Sequence, residues 1–140
     1  MKILEELLAK VWFERIAFMG LVIVFIYSGI DKLLHFDQAI AEFSSLNMEP
    51  AWLLVLLTIG VQLGGSALLF FRRYTVLGAL MLAVFTAMAT LIAHRFWEAP
   101  ANNYVPELNA FLEHLGLIGA FVLVAHLSAV RSSRNNVSAS

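Results

Sequence analysis

The chain has 140 residues, 61% of them hydrophobic and 14% charged, with a formal net charge of -1; soluble domains run at roughly 45–50% apolar and about 25% charged. A small soluble domain hides only about two thirds of the surface its chain exposes, so this composition excludes water as the only solvent and predicts an all-α integral membrane protein. The charge balance excludes nucleic acid as a partner, because phosphate binding rests on clustered Lys and Arg. The absence of cysteine excludes disulfides, thiolate nucleophiles, iron–sulfur clusters and Cys-based zinc sites.

In chain order, residues 1–15 mix Lys2, Glu5, Glu6, Lys10, Glu14 and Arg15 with an apolar stripe of Ile3, Leu4, Leu7, Leu8, Val11 and Trp12. That spacing predicts an interfacial amphipathic helix rather than a cleavable leader. Crossing about 30 Å of hydrocarbon takes about 20 mainly apolar residues. Spans are expected over about residues 16–34, 51–71, 75–94 and 112–130, forming a four-transmembrane-helix bundle in one domain, residues 1–130.

The first connecting loop, 31–50, predicts a short surface helix with Asp37 as its N-cap and Ala39, Ile40, Phe43 and Leu46 on one face. Pro50 suits the start of the second span. In the loop at 94–114, Pro100, Asn102, Asn103 and Pro106 are expected to break any helix, and Phe96, Trp97 and Tyr104 suit an aromatic belt. The polar residues 131–140 are expected to form a disordered tail.

Basic residues flanking a span are held on the cytoplasmic side. The N-terminal arm, the 72–74 turn and the tail hold Lys2, Lys10, Arg15, Arg72, Arg73, Arg131 and Arg134, against Lys32 and Arg95 on the other side. Both termini are therefore expected in the cytoplasm, with loops 31–50 and 94–114 outside. Those loops also gather Asp31, Asp37, Glu42, Glu49, Glu98, Glu107 and Glu113, together with His35, His94 and His114.

A polar side chain in lipid costs free energy unless it finds a partner. Tyr27 with Asp31, and Ser28 with Lys32, each share a helix face by their four-residue spacing. Thr58, Gln62 and Ser66 form a stripe on the second span; Thr86, Thr90 and His94 form one on the third, with Trp97 a turn further and Asn109 and His114 before the fourth. If the stripes face each other, they line a polar pocket open to the outside. The plainer alternative is that the hydroxyls bond back to their own helices, that Gln62 ties helices together, and that Asp31, Lys32, His94 and Arg95 mark the membrane boundary. Gly29, Gly64, Gly65, Gly116 and Gly119 suit close helix contacts. No His pair has a metal-binding interval, so no metal site is expected.

At these residues the chain resembles the DoxX family of bacterial membrane proteins, DoxD-like sequences included, over roughly residues 15–130. The marks are FIYSGIDKLLHF (25–36), where Gly29 and Lys32 fit s-G-x-x-K; VQLGGSALL (61–69); TLIAHRFW (90–97); and NAFLEHLGLIGAFVLV (109–124). Gln62 stands where many relatives have a glutamate before Gly-Gly, and Glu113 where a Lys is common.

The resemblance implies four helices in the inner membrane and a link to redox metabolism, quinone-coupled sulfur oxidation included. The leading expectation is a membrane subunit or binding module of a redox system, at most a subunit of a quinone-linked oxidoreductase. It would hold a quinone or similar small apolar ligand in an outward pocket built from Lys32, Gln62, His94, Trp97, His114, Asp31 and Asn109. No intrinsic cofactor is expected. Expected partners are membrane lipid, a redox partner protein and a second copy of the chain. Two alternatives are a small transporter or lipid-binding protein, and an assembly factor docking a partner through its outer loops.

Overall fold

The computed structural model describes residues 1–138, the side chains of Asn136 and Ser138 excepted. Every regular element among them is helical: α1 (Lys2–Leu8), α2 (Val11–Leu34), α3 (Phe36–Ser45), α4 (Ala51–Leu69), α5 (Thr75–Ala93), a 3-10 turn (Phe96–Glu98) and α6 (Tyr104–Ser138). Four helices, α2, α4, α5 and α6, are long and apolar enough to cross a membrane, and the protein is an integral, multi-pass membrane protein.

The helices fall into two compact units, residues 1–70 and 71–140. In the first, α2 and α4 pack antiparallel: Phe18, early in α2, meets Phe70 at the end of α4 edge-on, with ring centroids 6.3 Å apart. Gly29, late in α2, abuts Leu63 and Gln62 in the body of α4. The surface helix α3 lies on α4, its buried Ala39 joining Val55 and Ile59, with Phe36, Ile40, Phe43 and Leu63 around them. Leu46, expected on that face, is exposed because the helix ends at Ser45. Asp37 is not the N-cap: His35 holds that position, and Asp37 falls in the first turn of α3, where a carboxylate still complements the helix dipole. The N-terminal arm is broken at Ala9 and Lys10, so α1 is a separate, wholly exposed helix.

In the second unit α5 and α6 run antiparallel, with Thr90 near the end of α5 bonded to His114 near the start of α6. Buried Ala79, Leu82 and Ala83 recur at helical spacing on α5, as do Phe121 and Ala125 on α6. α6 begins two turns earlier than the fourth apolar stretch and incorporates Pro106 in its first turn. Proline was expected to break the chain here; at this position no intrahelical acceptor awaits its missing N–H, so the helix tolerates it. At its other end α6 runs on through Ser138, across most of the tail expected to be disordered, because extending a formed helix is far easier than nucleating one. Residues 139 and 140 lie outside the described residues.

The expected glycine contacts divide. A Cβ on Gly29 would stand 2.7 Å from Leu63 Cδ2, whereas Gly64, Gly116 and Gly119 have open space where a Cβ would go. Gly65 is buried.

Candidate functional site

Each helix pair carries a polar cluster near one end. In the α2–α4 pair the cluster centres on Ser28. Lys32 lies in the last turn of α2, where its charge suits the helix dipole. Its ammonium turns back along the helix and donates to Ser28 Oγ at 2.8 Å. Gln62, 5% exposed, donates from Nε2 to the same oxygen at 3.1 Å, and its Oε1 is buried with no hydrogen-bond partner. Asp31 stands apart: with His35 it forms a half-exposed pair, Nδ1 to Oδ1 at 3.1 Å. Tyr27 is exposed.

In the α5–α6 pair the cluster is a chain of contacts. Asn103 Nδ2 donates to Glu107 Oε1 at 3.2 Å, and His94 Nδ1 lies 3.0 Å from Glu107 Oε2. The His94 and His114 rings meet edge-to-face with centroids 4.9 Å apart. Thr90 donates its one hydroxyl proton to the Thr86 carbonyl at 2.6 Å, so at 2.9 Å it can only accept from His114 Nδ1–H. That assigns the His114 proton to Nδ1 and leaves a lone pair on its Nε2. An ionised Glu107 accepts only, so His94 likewise carries a proton on Nδ1 and presents Nε2. The His94 and Glu107 side chains are 28% and 25% exposed. This is a base held in one orientation by a carboxylate, the arrangement general acid–base chemistry uses.

Aromatic rings crowd the same end. Phe96 meets Trp97, Tyr104 and Phe111 edge-on at 5.1, 5.9 and 5.2 Å. Trp97 remains half exposed, and Asn109 is exposed.

Three of the stripe hydroxyls, those of Ser66, Thr86 and Thr90, follow the plainer alternative. Ser66 donates to the Gln62 carbonyl, Thr86 to Leu82 and Thr90 to Thr86, each closing on its own helix. Of the expected site residues, Lys32 and Gln62 meet through Ser28, and His94 meets His114. Asp31, Trp97 and Asn109 join neither hydrogen-bonded cluster. Glu107 escaped the sequence reading because it was counted only among the loop acids. Its signal was its seven-residue spacing from His114, two turns along one face of a helix, hidden by the expectation that Pro106 ends helical structure.

Among proteins of known sequence, the inner membrane protein YphA of Escherichia coli (strain K12) is similar to this chain: 24% identical over 110 residues, covering 79% of each. No solved structure matches. The DoxX family profile matches residues 15–95, more than half the chain, spanning the Ser28–Lys32–Gln62 cluster and reaching His94. The chain belongs to the DoxX family.

Proposed function

We propose that this protein is a binding module of a redox system in the bacterial inner membrane, holding a quinone or similar small apolar molecule by its polar head at His94, Glu107 and His114. The observation that supports it is the carboxylate-oriented imidazole of His94, 3.0 Å from Glu107. The site is assigned to the outer face, with both termini cytoplasmic, because Lys and Arg concentrate on the opposite side of the spans. The similarity to an inner membrane protein supports the compartment.

The free Nε2 lone pairs accept from the hydroxyls of a quinol, and His94 protonated at Nε2 donates to a quinone carbonyl, which suits a ligand that needs an apolar slot with one or two polar contacts. Phe96, Trp97 and Phe111 supply apolar surface at the end of the helix pair where the two imidazoles present Nε2. His94 takes or gives a proton at Nε2, and Glu107 stabilises the imidazolium through Nδ1–H. When bound, a quinone supplies the two-electron chemistry. The chain has no thiol to carry electrons, so a redox-active partner protein takes or delivers them. Transport would need a polar track continuing down the span, and the α5 hydroxyls at Thr86 and Thr90 are committed to their own helix.

The test is to purify the full chain in nanodiscs, identify co-purified small molecules by mass spectrometry, and measure binding of a short-chain benzoquinone. Wild type should retain a quinone, Glu107→Ala and His94→Ala should each weaken binding at least about tenfold, a loss of 1.4 kcal/mol, and Asp31→Asn should bind as wild type. Retention of quinone by His94→Ala would overturn the site. A folded protein that binds no small molecule would overturn the function and favour an assembly factor.

A further inference from the structure

We infer that Gln62, Ser28 and Lys32 form a separate binding site, within the α2–α4 pair, for the hydroxyl group of an apolar phenol. The argument begins from the polar atom left over. Gln62 lies well inside a 19-residue apolar helix, and its Oε1 is buried with no hydrogen-bond partner. An unmade hydrogen bond on a buried polar atom is expensive, and more so where the surroundings are lipid and cannot supply one.

In the observed arrangement no local group makes that bond. Ser28 Oγ already accepts from both Lys32 Nζ and Gln62 Nε2, which fills its two lone pairs. The amide is thereby held by its nitrogen with its oxygen presented. Gly65 and Ser66, which follow Gln62 by one helical turn, add almost no bulk on that face of α4.

Lys32 identifies the rest of the missing group. Only one of its three N–H donors is used, on Ser28, and the shared serine holds it close to the amide. The completing group should therefore donate one hydrogen bond, to Gln62 Oε1, and accept another beside an ammonium. A hydroxyl does both with one atom. A phenolic hydroxyl does so best, because it is the stronger donor and an ammonium stabilises the electron density on its oxygen. A carbonyl or ether accepts only and would leave Oε1 orphaned. This site uses no residue of the His94 cluster and stands whether or not that cluster binds a quinone.

The experiment uses the full chain in nanodiscs, with glutamine side chains labelled with 13C and 15N, titrated with 4-nonylphenol and with its methyl ether, 4-nonylanisole. The phenol should bind at least about tenfold more tightly than the ether, the difference expected for one well-made hydrogen bond in an apolar site. It should move the Gln62 amide signals while leaving those of Gln38 in place. Gln62→Leu should remove the preference, and His94→Ala should keep it. Equal affinity for phenol and ether in wild type, a comparison that needs no variant, would overturn the proposal and leave a water as the natural partner of Oε1. So would a phenol preference that survives Gln62→Leu or disappears in His94→Ala.

Discussion

The two helix pairs solve the same problem, a few polar groups inside apolar helices, to different degrees of completion. In the α5–α6 pair the contacts run from Asn103 through Glu107, His94, His114 and Thr90 to the Thr86 carbonyl, and among the described residues no buried polar side-chain atom is left unsatisfied. In the α2–α4 pair three side chains converge on one serine oxygen and Gln62 Oε1 is left over. A closed network is explained by stability and orientation alone. An open one keeps an atom in an unfavourable state, and folding gains nothing from it.

Substitutions that are harmless in one pair and harmful in the other sharpen this contrast. The largest effect is expected at Thr90→Val, which keeps the shape but leaves His114 Nδ1–H without its acceptor; the cost should be about 1–3 kcal/mol in a reversible denaturation assay. A neutral result would show that the α5–α6 network is not closed as described. Next comes Gly29→Ala, whose methyl would press on Leu63 and should cost about 1–2 kcal/mol. Gly64→Ala and Gly119→Ala meet open space and should be neutral, or stabilising by up to about 1 kcal/mol through helix propensity. If all three glycine variants melt alike, the close approach of α2 to α4 is wrong.

Gln62→Leu is expected to change sign relative to Thr90→Val. Removing an orphaned amide from the α2–α4 pair should raise ligand-free stability by about 1 kcal/mol, within the range for unsatisfied groups. A clear loss of stability would mean that Gln62 is already satisfied and that the two pairs do not differ. The smallest effect belongs to Asp31→Asn. Its pair with His35 is half exposed, and solvent-exposed ion pairs are worth less than about 1 kcal/mol, so the melting temperature should barely move at any salt concentration.

Much of the fold was legible because lipid imposes its terms on composition. A 19-residue helix without a single charge, such as Ala51–Leu69, has few alternatives, and the helical spacing of Ala39, Ile40, Phe43 and Leu46 marked a surface helix before the structure did. Boundaries were less legible. Pro106 argues for a break in isolation, but in the first turn of a helix its missing N–H goes unnoticed, so the start of α6 was placed too late.

The sites were legible in part. Ser28 and Lys32 share a face by spacing, and the structure adds Gln62, 34 residues away, a pairing no local rule encodes. His94 and Glu107 are joined across a loop whose path is set by tertiary packing. The glycines show the same limit: Gly64 and Gly119 sit in apolar helices as contact glycines do, yet a Cβ there meets open space, and whether a neighbour approaches is decided by the other helix.

α6 has 35 residues and α5 has 19, so at 1.5 Å per residue the two measure about 52 Å and about 28 Å. Only the shorter matches a hydrocarbon layer of about 30 Å; the longer must stand clear of it. With Thr90 and His114 side by side, one overhang carries Glu107 past the end of α5 to reach His94, and the other lifts Arg131, Ser132, Ser133 and Arg134 beyond the start of α5. That second overhang is a stiff polar mast. Those four polar residues are held in helix, clear of the apolar layer, rather than as loose chain.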